Sequence, residues 1–248
     1  MQAGVIVAWP AKGLYLTEQE VSLDIGRARY VGYPRMNSLP KYWVDGLDIE
    51  FNHCVRRVER TDKWTLSFED GSQATGFDGV ISTLPPEQAR VILPSDYPVG
   101  NDVSKAQMQP CFALMVGLPD PLYLEWDTLR IKDLPIDWIS INSAKPGRSS
   151  AKGALVIHSE ANWSAEHVNA DRDWIENVLV KSASAFLDLP LEEAPHKALH
   201  RWLFASRKTS SDIDCLKREG FVFAGDWCRG GRVQGAWLSG RAAARAFL

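Results

Sequence analysis

This 248-residue chain lacks a marked excess of either charge: 28 Lys and Arg stand against 31 Asp and Glu, a formal net charge of −3. That balance attracts neither a nucleic acid nor an anionic membrane, so neither is expected as a partner. The longest apolar stretch, "PCFALMVGLP", is far too short to span a bilayer. The first residues carry no basic segment followed by a long apolar run, so no signal peptide is read there and a cytoplasmic protein is expected. The 4 cysteines, Cys54, Cys111, Cys215 and Cys228, are far apart and form no C-x-x-C pair, which argues against a zinc site or a disulfide framework and for reduced thiols. No G-x-x-x-x-G-K-[ST] loop and no Ser-His-Asp order occurs, so NTPase and hydrolase readings have no footing. A G-x-G-x-x-G dinucleotide fingerprint is also absent. There is no internal repeat and no low-complexity linker.

What is present is a mixed pattern. The chain is 45% hydrophobic, enough for a real core, and its 10 tryptophans are many for its length. Trp163, Trp227 and Trp237 sit beside polar turn residues, which suggests cleft walls as well as core. A helix is predicted around Leu39–Val44. Leu47–Pro85 reads as β-structure, with apolar residues at Ile49, Phe51, Val55, Val58, Trp64, Leu66 and Phe68 and a hairpin signal at Asp70-Gly71. "FDGVISTLP" reads as a short strand buried on both faces, followed by a short helix over Pro86–Leu93. "CFALMVGL", "DWISINS" and "GALVIHS" are strand candidates, with "KPGR" turning between the last two. Asp171–Leu187 is predicted as a capped helix, Leu199–Phe204 and Phe221–Gly225 as strands, and Gln234–Phe247 as the last helix. This order predicts an α/β domain interrupted by an antiparallel one, in four segments: 1–46, 47–95, 106–210 and 215–248.

The segment "GDWCRGGRVQGAWLSGRAAA", Gly225–Ala244, carries the most chemistry. Asp226 follows an apolar strand, and open α/β sheets bind ligands at the carboxyl ends of their strands. A carboxylate there accepts hydrogen bonds from ribose or ribityl hydroxyls. Gly230 and Gly231 let the backbone approach a ligand. A helix opening near Val233–Gln234 offers unpaired N–H groups and positive dipole to an anion. Small residues recur on that helix in two stripes, Gly235/Ser239/Ala243 and Ala236/Gly240/Ala244. The same features also suit a helix packed tightly on a sheet beside a solvated aspartate, and the pattern alone leaves both readings open.

The segment resembles the C-terminal FAD-binding stretch of flavin amine oxidases, above all their bacterial renalase-like branch, with its G-D-W-C…G-G-R-V-E-G-A-W-L-S-G. Further stretches fall in the family's order: "RYVGYPRMNSL", "VRRVERTDKWTLSFEDG", "DGVISTLPPEQA", "NSAKPGR", "NWSAEH" and "HRWLFA". The resemblance implies a partial FAD-binding Rossmann-like domain interleaved with an antiparallel-sheet substrate domain. It implies FAD as cofactor, with Gly225 and Asp226 at the ribityl or phosphate region. The backbone of Arg232, Val233 and Gln234 would face the pyrimidine end of the isoalloxazine, Val55 would meet adenine, and Pro85 would close the return strand. Gln234 stands where the family often has Glu. The family's strand, glycine loop and helix for the pyrophosphate have no counterpart in these 248 residues. Three explanations are open: the sequence is a piece of a longer one, the unit comes from a separate βαβ polypeptide, or FAD binding is lost. The chain by itself is expected to bind FAD weakly or not at all, and to expose an apolar seam along "GVISTL" and the last helix that favours self-association.

His167 in "NWSAEHV" is the histidine best suited to substrate chemistry, with Trp163, Trp227 and Arg229 as substrate contacts; a surface histidine is the alternative. His200 and Trp202 share one side of a strand, and His200 is read as core. Lys145 and Arg148 are either solvated turn charges or contacts to a cofactor or substrate phosphate. Cys228 falls in the ribityl-binding segment, which argues against a covalent flavin link. The function implied is hydride transfer from a small-molecule substrate, a dihydronicotinamide dinucleotide or an amine, to flavin, with reoxidation by dioxygen to H2O2. A degenerate, non-enzymatic chain and a relative acting on amines or polyene-like substrates are the alternatives.

Overall fold

The computed structural model describes residues 4–17, 20–24, 28–98, 103, 106–132, 135–208 and 213–248. The chain divides into two compact units, one made of Met1–Ile49 and Pro110–Trp202, the other of Glu50–Gln109 and Leu203–Leu248.

The first unit opens with β1 (Ile6–Trp9), β2 (Gly13–Leu16), β3 (Val21–Leu23), β4 (Arg29–Gly32) and α1 (Ser38–Val44). Its larger part follows residue 110. There β9 (Met108–Gly117), β10 (Thr128–Ile131), β11 (Ile136–Ile141), β12 (Ala154–Ser159) and β13 (His196–Arg207) join β2 and β3 in a seven-stranded sheet of order β13-β9-β12-β11-β10-β2-β3. Only β10 against β2 is a parallel pair among the registers described. Residues on the paired strands alternate in facing. Leu114 and Val116 of β9, Leu155 and Ile157 of β12, Ile139 and Ile141 of β11 and Leu129 and Ile131 of β10 form one buried cluster. Two more helices belong to this unit, α3 (Ala161–Glu166) and α4 (Arg172–Leu187). Ile175, Leu179 and Ala183 of α4, one turn apart, complete the cluster. Asp171 caps α4 as its sequence predicts, accepting from the backbone N–H of Asp173 at 3.0 Å and of Trp174 at 2.9 Å. Such a cap stabilises a helix by about 1 kcal/mol.

The second unit holds β5 (Val55–Arg60), β6 (Trp64–Phe68) and β7 (Gln73–Phe77) as an antiparallel meander, then β8 (Val80–Ser82) and α2 (Pro86–Ile92). After β13 come β14 (Leu216–Arg218), β15 (Phe221–Phe223) and α5 (Arg232–Arg245). The sheet β14-β15-β8 pairs β15 with β8 in parallel, joining residues far apart in the chain. Trp64, Phe221 and Phe223 are fully buried at its centre, with Val58 and Trp227.

Several sequence expectations are corrected here. Ile49 and Phe51 lie outside any strand and are exposed, because β5 begins only at Val55. Val55 and Val58 still share a face at odd spacing, because a bulge between Val55 and Arg57 absorbs one residue. The "FDGVISTLP" strand is not buried on both faces: Ile81 is 42% exposed and β8 is an edge strand of its sheet. His200 is exposed, because both sides of β13 are open from His200 to Leu203, although it shares a side with Trp202 at 4.3 Å between ring centroids. The Gly235/Ser239/Ala243 stripe is already buried by its own unit, where Ala243 packs on Val222 and Ala224. The exposed large apolar residues of α5 are Val233 and Trp237.

Candidate functional site

The carboxyl ends of β8 and β15 lie side by side, since the two strands are parallel and in register from Val80↔Phe221 to Ser82↔Phe223. The chain leaves β15 through Gly225, whose φ of 155° admits glycine far more readily than other residues. The Gly225 N–H donates to Ser239 Oγ of α5 at 3.0 Å, tying the strand end to the helix. A 3-10 turn, Asp226–Cys228, follows. The Asp226 carbonyl accepts from the N–H groups of Arg229 at 3.1 Å and Gly231 at 2.9 Å. The Asp226 carboxylate itself is half-buried and makes no hydrogen bond or ion pair among the described residues.

Gly230, Gly231 and Arg232 then run at φ of 68°, 69° and 67°. Glycine tolerates this; for Arg232 it is a strained conformation of the kind that clusters at ligand clamps. α5 starts at once and carries no side-chain cap, so the N–H groups of its first turn, at Val233 and Gln234 among others, are left to an outside acceptor. No atom would come within 4 Å of a Cβ at Gly231, so the loop has an open flank there. At Gly235, by contrast, a Cβ would lie 2.0 Å from the Arg229 carbonyl oxygen, and only glycine lets the helix close on its own loop.

A mostly apolar groove of about 540 Å³ adjoins the strand ends. Val55 and Val58 of β5, Val80–Ser82 of β8, Leu84 and Val91 line it. Ser82 Oγ is buried there and has no hydrogen-bond partner among the described residues. Pro85 is half-buried at the N-terminus of α2, where its carbonyl accepts from Ala89 N–H at 2.9 Å.

The site residues read from the sequence are thus sorted. Gly225, Asp226, Arg232, Val233, Gln234, Val55 and Pro85 all belong to the second unit. Trp227 does too, but as core: it is 2% exposed, and its indole N–H donates to the Leu84 carbonyl at 3.2 Å, so it walls no cleft. Arg229 is half-exposed and ion-paired with Asp214. Burial pushes the Cys228 thiol up to about 11, so it stays protonated and unreactive. Ser82 was not singled out in the sequence; a lone serine in an apolar strand carries no signal of an unpaired hydroxyl.

Trp163 and His167 belong to the first unit. The His167 ring lies 4.6 Å from Trp163 and 5.2 Å from Trp174, at interplanar angles of 25° and 26°. Its Nδ1 is 2.8 Å from the Trp163 carbonyl oxygen. A carbonyl only accepts, so Nδ1 donates to it, and in the neutral tautomer that this assigns Nε2 is the acceptor. No group of His, Cys, Asp or Glu that could hold a metal occurs among the described residues. No helix among them is long and apolar enough to cross a membrane.

The donor set of the second unit fits one end of a flavin nucleotide: a free carboxylate for hydroxyls, an uncapped helix start for an electron-rich ring or phosphate, and a glycine loop open on one flank. Comparison with known proteins bears on the kind of cofactor, not on these residues. Mouse renalase is 24% identical over 205 residues, which cover 76% of this chain and 58% of renalase. The structure of putrescine oxidase bound to putrescine superposes with a TM-score of 0.63 at 13% identity, over 89% of this chain and 54% of that one. Cyclohexylamine oxidase from Brevibacterium oxydans gives 0.60 at 15% identity, over 77% and 47%. The chain therefore spans about half the length of these relatives. The model of the flavin containing amine oxidoreductases matches from residue 6 to residue 248, and the chain belongs to that family.

Proposed function

We propose that the chain is the FAD-binding and substrate-binding part of an oxidase that takes hydride from a small-molecule substrate. The observation that carries this reading is the unpaired Asp226 carboxylate beside the uncapped start of α5, within a chain whose family is flavin-containing. When bound, the flavin supplies a hydride acceptor that dioxygen reoxidises with release of H2O2. The rest of the work falls to this chain. Asp226 accepts hydrogen bonds from the ribityl chain. The N–H groups at Val233 and Gln234 stabilise negative charge on the pyrimidine side. The backbone at Val55 meets the adenine end. His167, with Trp163 against it, is proposed to contact substrate through Nε2. A dihydronicotinamide dinucleotide, as the renalase-like resemblance implies, is preferred to a simple amine.

The test is a titration of FAD and of FMN into the purified chain, alone and co-expressed with a separate βαβ unit carrying a glycine loop, followed by flavin fluorescence and then by anaerobic reduction with each substrate class. Weak or no FAD binding by the chain alone, and in the completed protein FAD binding that exceeds FMN binding with H2O2 formed on admitting air, is the expected result. Retention of neither flavin by the completed protein overturns the reading.

We also propose that the open edge of β8 accepts a further parallel strand, belonging to a separate βαβ unit with a glycine loop, and that without it the chain self-associates there. Ile81, at 42% exposure, and Val91, at 79%, flank that edge. Ile81→Lys should raise the monomer fraction in sedimentation. An unchanged distribution rejects the edge as the contact.

A further inference from the structure

The face of the seven-stranded sheet turned away from α4 is chemically unlike the core face. One row across it runs Ala113 on β9, His158 on β12, Trp138 on β11, Arg130 on β10 and Tyr15 on β2, each directly opposite the next. Aromatic and cationic groups dominate this row. The guanidinium groups of Arg29 and Arg130 lie 5.8 and 5.3 Å from the Trp138 ring, and each is matched by a carboxylate, Asp24 for Arg29 and Asp137 for Arg130.

The turn between β11 and β12 brings two more cations, and they are used differently. Arg148 is spent on backbone, donating to the carbonyls of Gly32, Pro34 and Pro146. It holds the β4 end against the turn, where Tyr33 packs on Gly147. Lys145 is half-buried, its ammonium 3.1 Å from Asn142 Oδ1 and 5.5 Å from the ring of Trp9. It has no carboxylate partner among the described residues. An ammonium has three protons to donate, and Asn142 takes one.

We propose that Lys145 is the anion-selecting residue of a substrate subsite on this face, taking the carboxylate or phosphate of a planar molecule that lies along His158 and Trp138. A partly buried cation without a counter-ion is costly unless something completes it. The groups around it do not. Arg148 on the same turn repels it, His158 of β12 is within electrostatic reach, Asp137 of β11 acts on His158, and β1 contributes the Trp9 ring. Burial, with Arg148 second, lowers the Lys145 ammonium to about 8. Burial, with Lys145 second, also lowers His158, which is therefore neutral at pH 7. An arriving anion relieves both effects, whereas a cationic amine adds to them. The subsite thus selects against the substrates named for the oxidases of similar fold. The inference rests on the flavoenzyme reading only in calling the bound molecule a substrate.

Calorimetric titration of the full chain, without flavin, separates the possibilities. Benzoate, phenyl phosphate and benzylamine present the same ring with a carboxylate, a phosphate or a cation. At least one of the two anions should bind about tenfold or more tightly than benzylamine, and their ratio says which anion the site prefers. Lys145→Met should weaken the anion by about tenfold or more, in line with loss of a charged hydrogen bond. In the wild type, anion affinity should fall between about pH 7 and about pH 9, as Lys145 loses its proton, and Lys145→Arg should remove that fall. The proposal is overturned if neither anion binds, if benzylamine binds as well as the anions, or if Lys145→Met leaves anion affinity unchanged. Anion binding here together with failure to take up FAD even beside a separate βαβ unit would reject the flavoenzyme reading and leave the subsite standing.

Discussion

At the scale of single residues, the distinction that matters at the strand end is between Asp226 and its neighbour. Asp226 caps nothing and pairs with nothing among the described residues, so the cofactor-free fold gains little from its charge. Asp226→Ala should leave the thermal midpoint of the free chain within experimental error, yet weaken FAD binding by about 1.5–3 kcal/mol, the range for hydrogen bonds to a charged group. Equal flavin affinity in the variant would remove Asp226 from the site. A second residue gives a pH dependence. The Tyr97 hydroxyl donates to the Arg218 carbonyl, and burial, with Glu219 next, pushes the phenol from its ordinary 10.0 to about 12. Between those values the unfolded chain has lost a proton that the folded chain keeps, so stability should fall as pH rises through this window. Denaturant midpoints of Tyr97→Phe should fall less steeply there than those of the wild type. The two neighbours at the strand end were not equally legible in the sequence. Asp226 could be placed because an apolar run ending in a carboxylate marks a strand end. Trp227 could not, because the turn after Gly225 swings its ring back into the core, and that depends on one glycine φ rather than on any periodicity.

At the scale of elements, α5 shows two glycines with opposite meanings. A Cβ at Gly235 would meet the Arg229 carbonyl at 2.0 Å, and backbone cannot move aside cheaply. At Gly240 nothing lies within 4 Å. Gly235→Ala should therefore destabilise the chain and loosen the loop from Arg229 to Arg232. Gly240→Ala should stabilise it by about 0.5–1 kcal/mol, the ordinary gain for alanine within a helix. Urea unfolding of the two variants checks both signs, and a gain for Gly235→Ala would refute the close approach. The longer helices and strands were legible because their apolar residues repeat, whereas the six-residue α3 (Ala161–Glu166) read as a turn. Of the first 46 residues only α1 was legible: β2 and β3 are short pieces of a sheet whose other strands begin at Met108 or later, and an edge strand such as β3 needs no apolar face. The β5 bulge hid the start of that strand in the same way, since a shifted alternation reads as a longer one.

At the scale of the whole molecule, the decisive feature is that neither unit is a continuous stretch of chain. The sequence implied an inserted antiparallel domain, and its likeness to flavin amine oxidases is matched by the family over residues 6–248. Discontinuity also sets an order of events. For β8 to meet β15, residues near 80 must find residues near 221. While the intervening chain is loose, that search carries the full loop-closure entropy. Once β9 and β13 stand side by side in the seven-stranded sheet, Gln107 and Lys208 are also joined, by a backbone bond of 3.0 Å, and the effective loop is a fraction of its former length. The saving is about 1 kcal/mol on the logarithmic scaling of loop entropy. Amides of β11 and β12 should accordingly gain protection before those of β8 and β15 in pulse-labelled hydrogen exchange during refolding, and simultaneous protection would contradict this order. The second unit would then be the last part to form, so newly made chains would pass through a stage in which the seven-stranded sheet is complete and the proposed cofactor has nowhere to land.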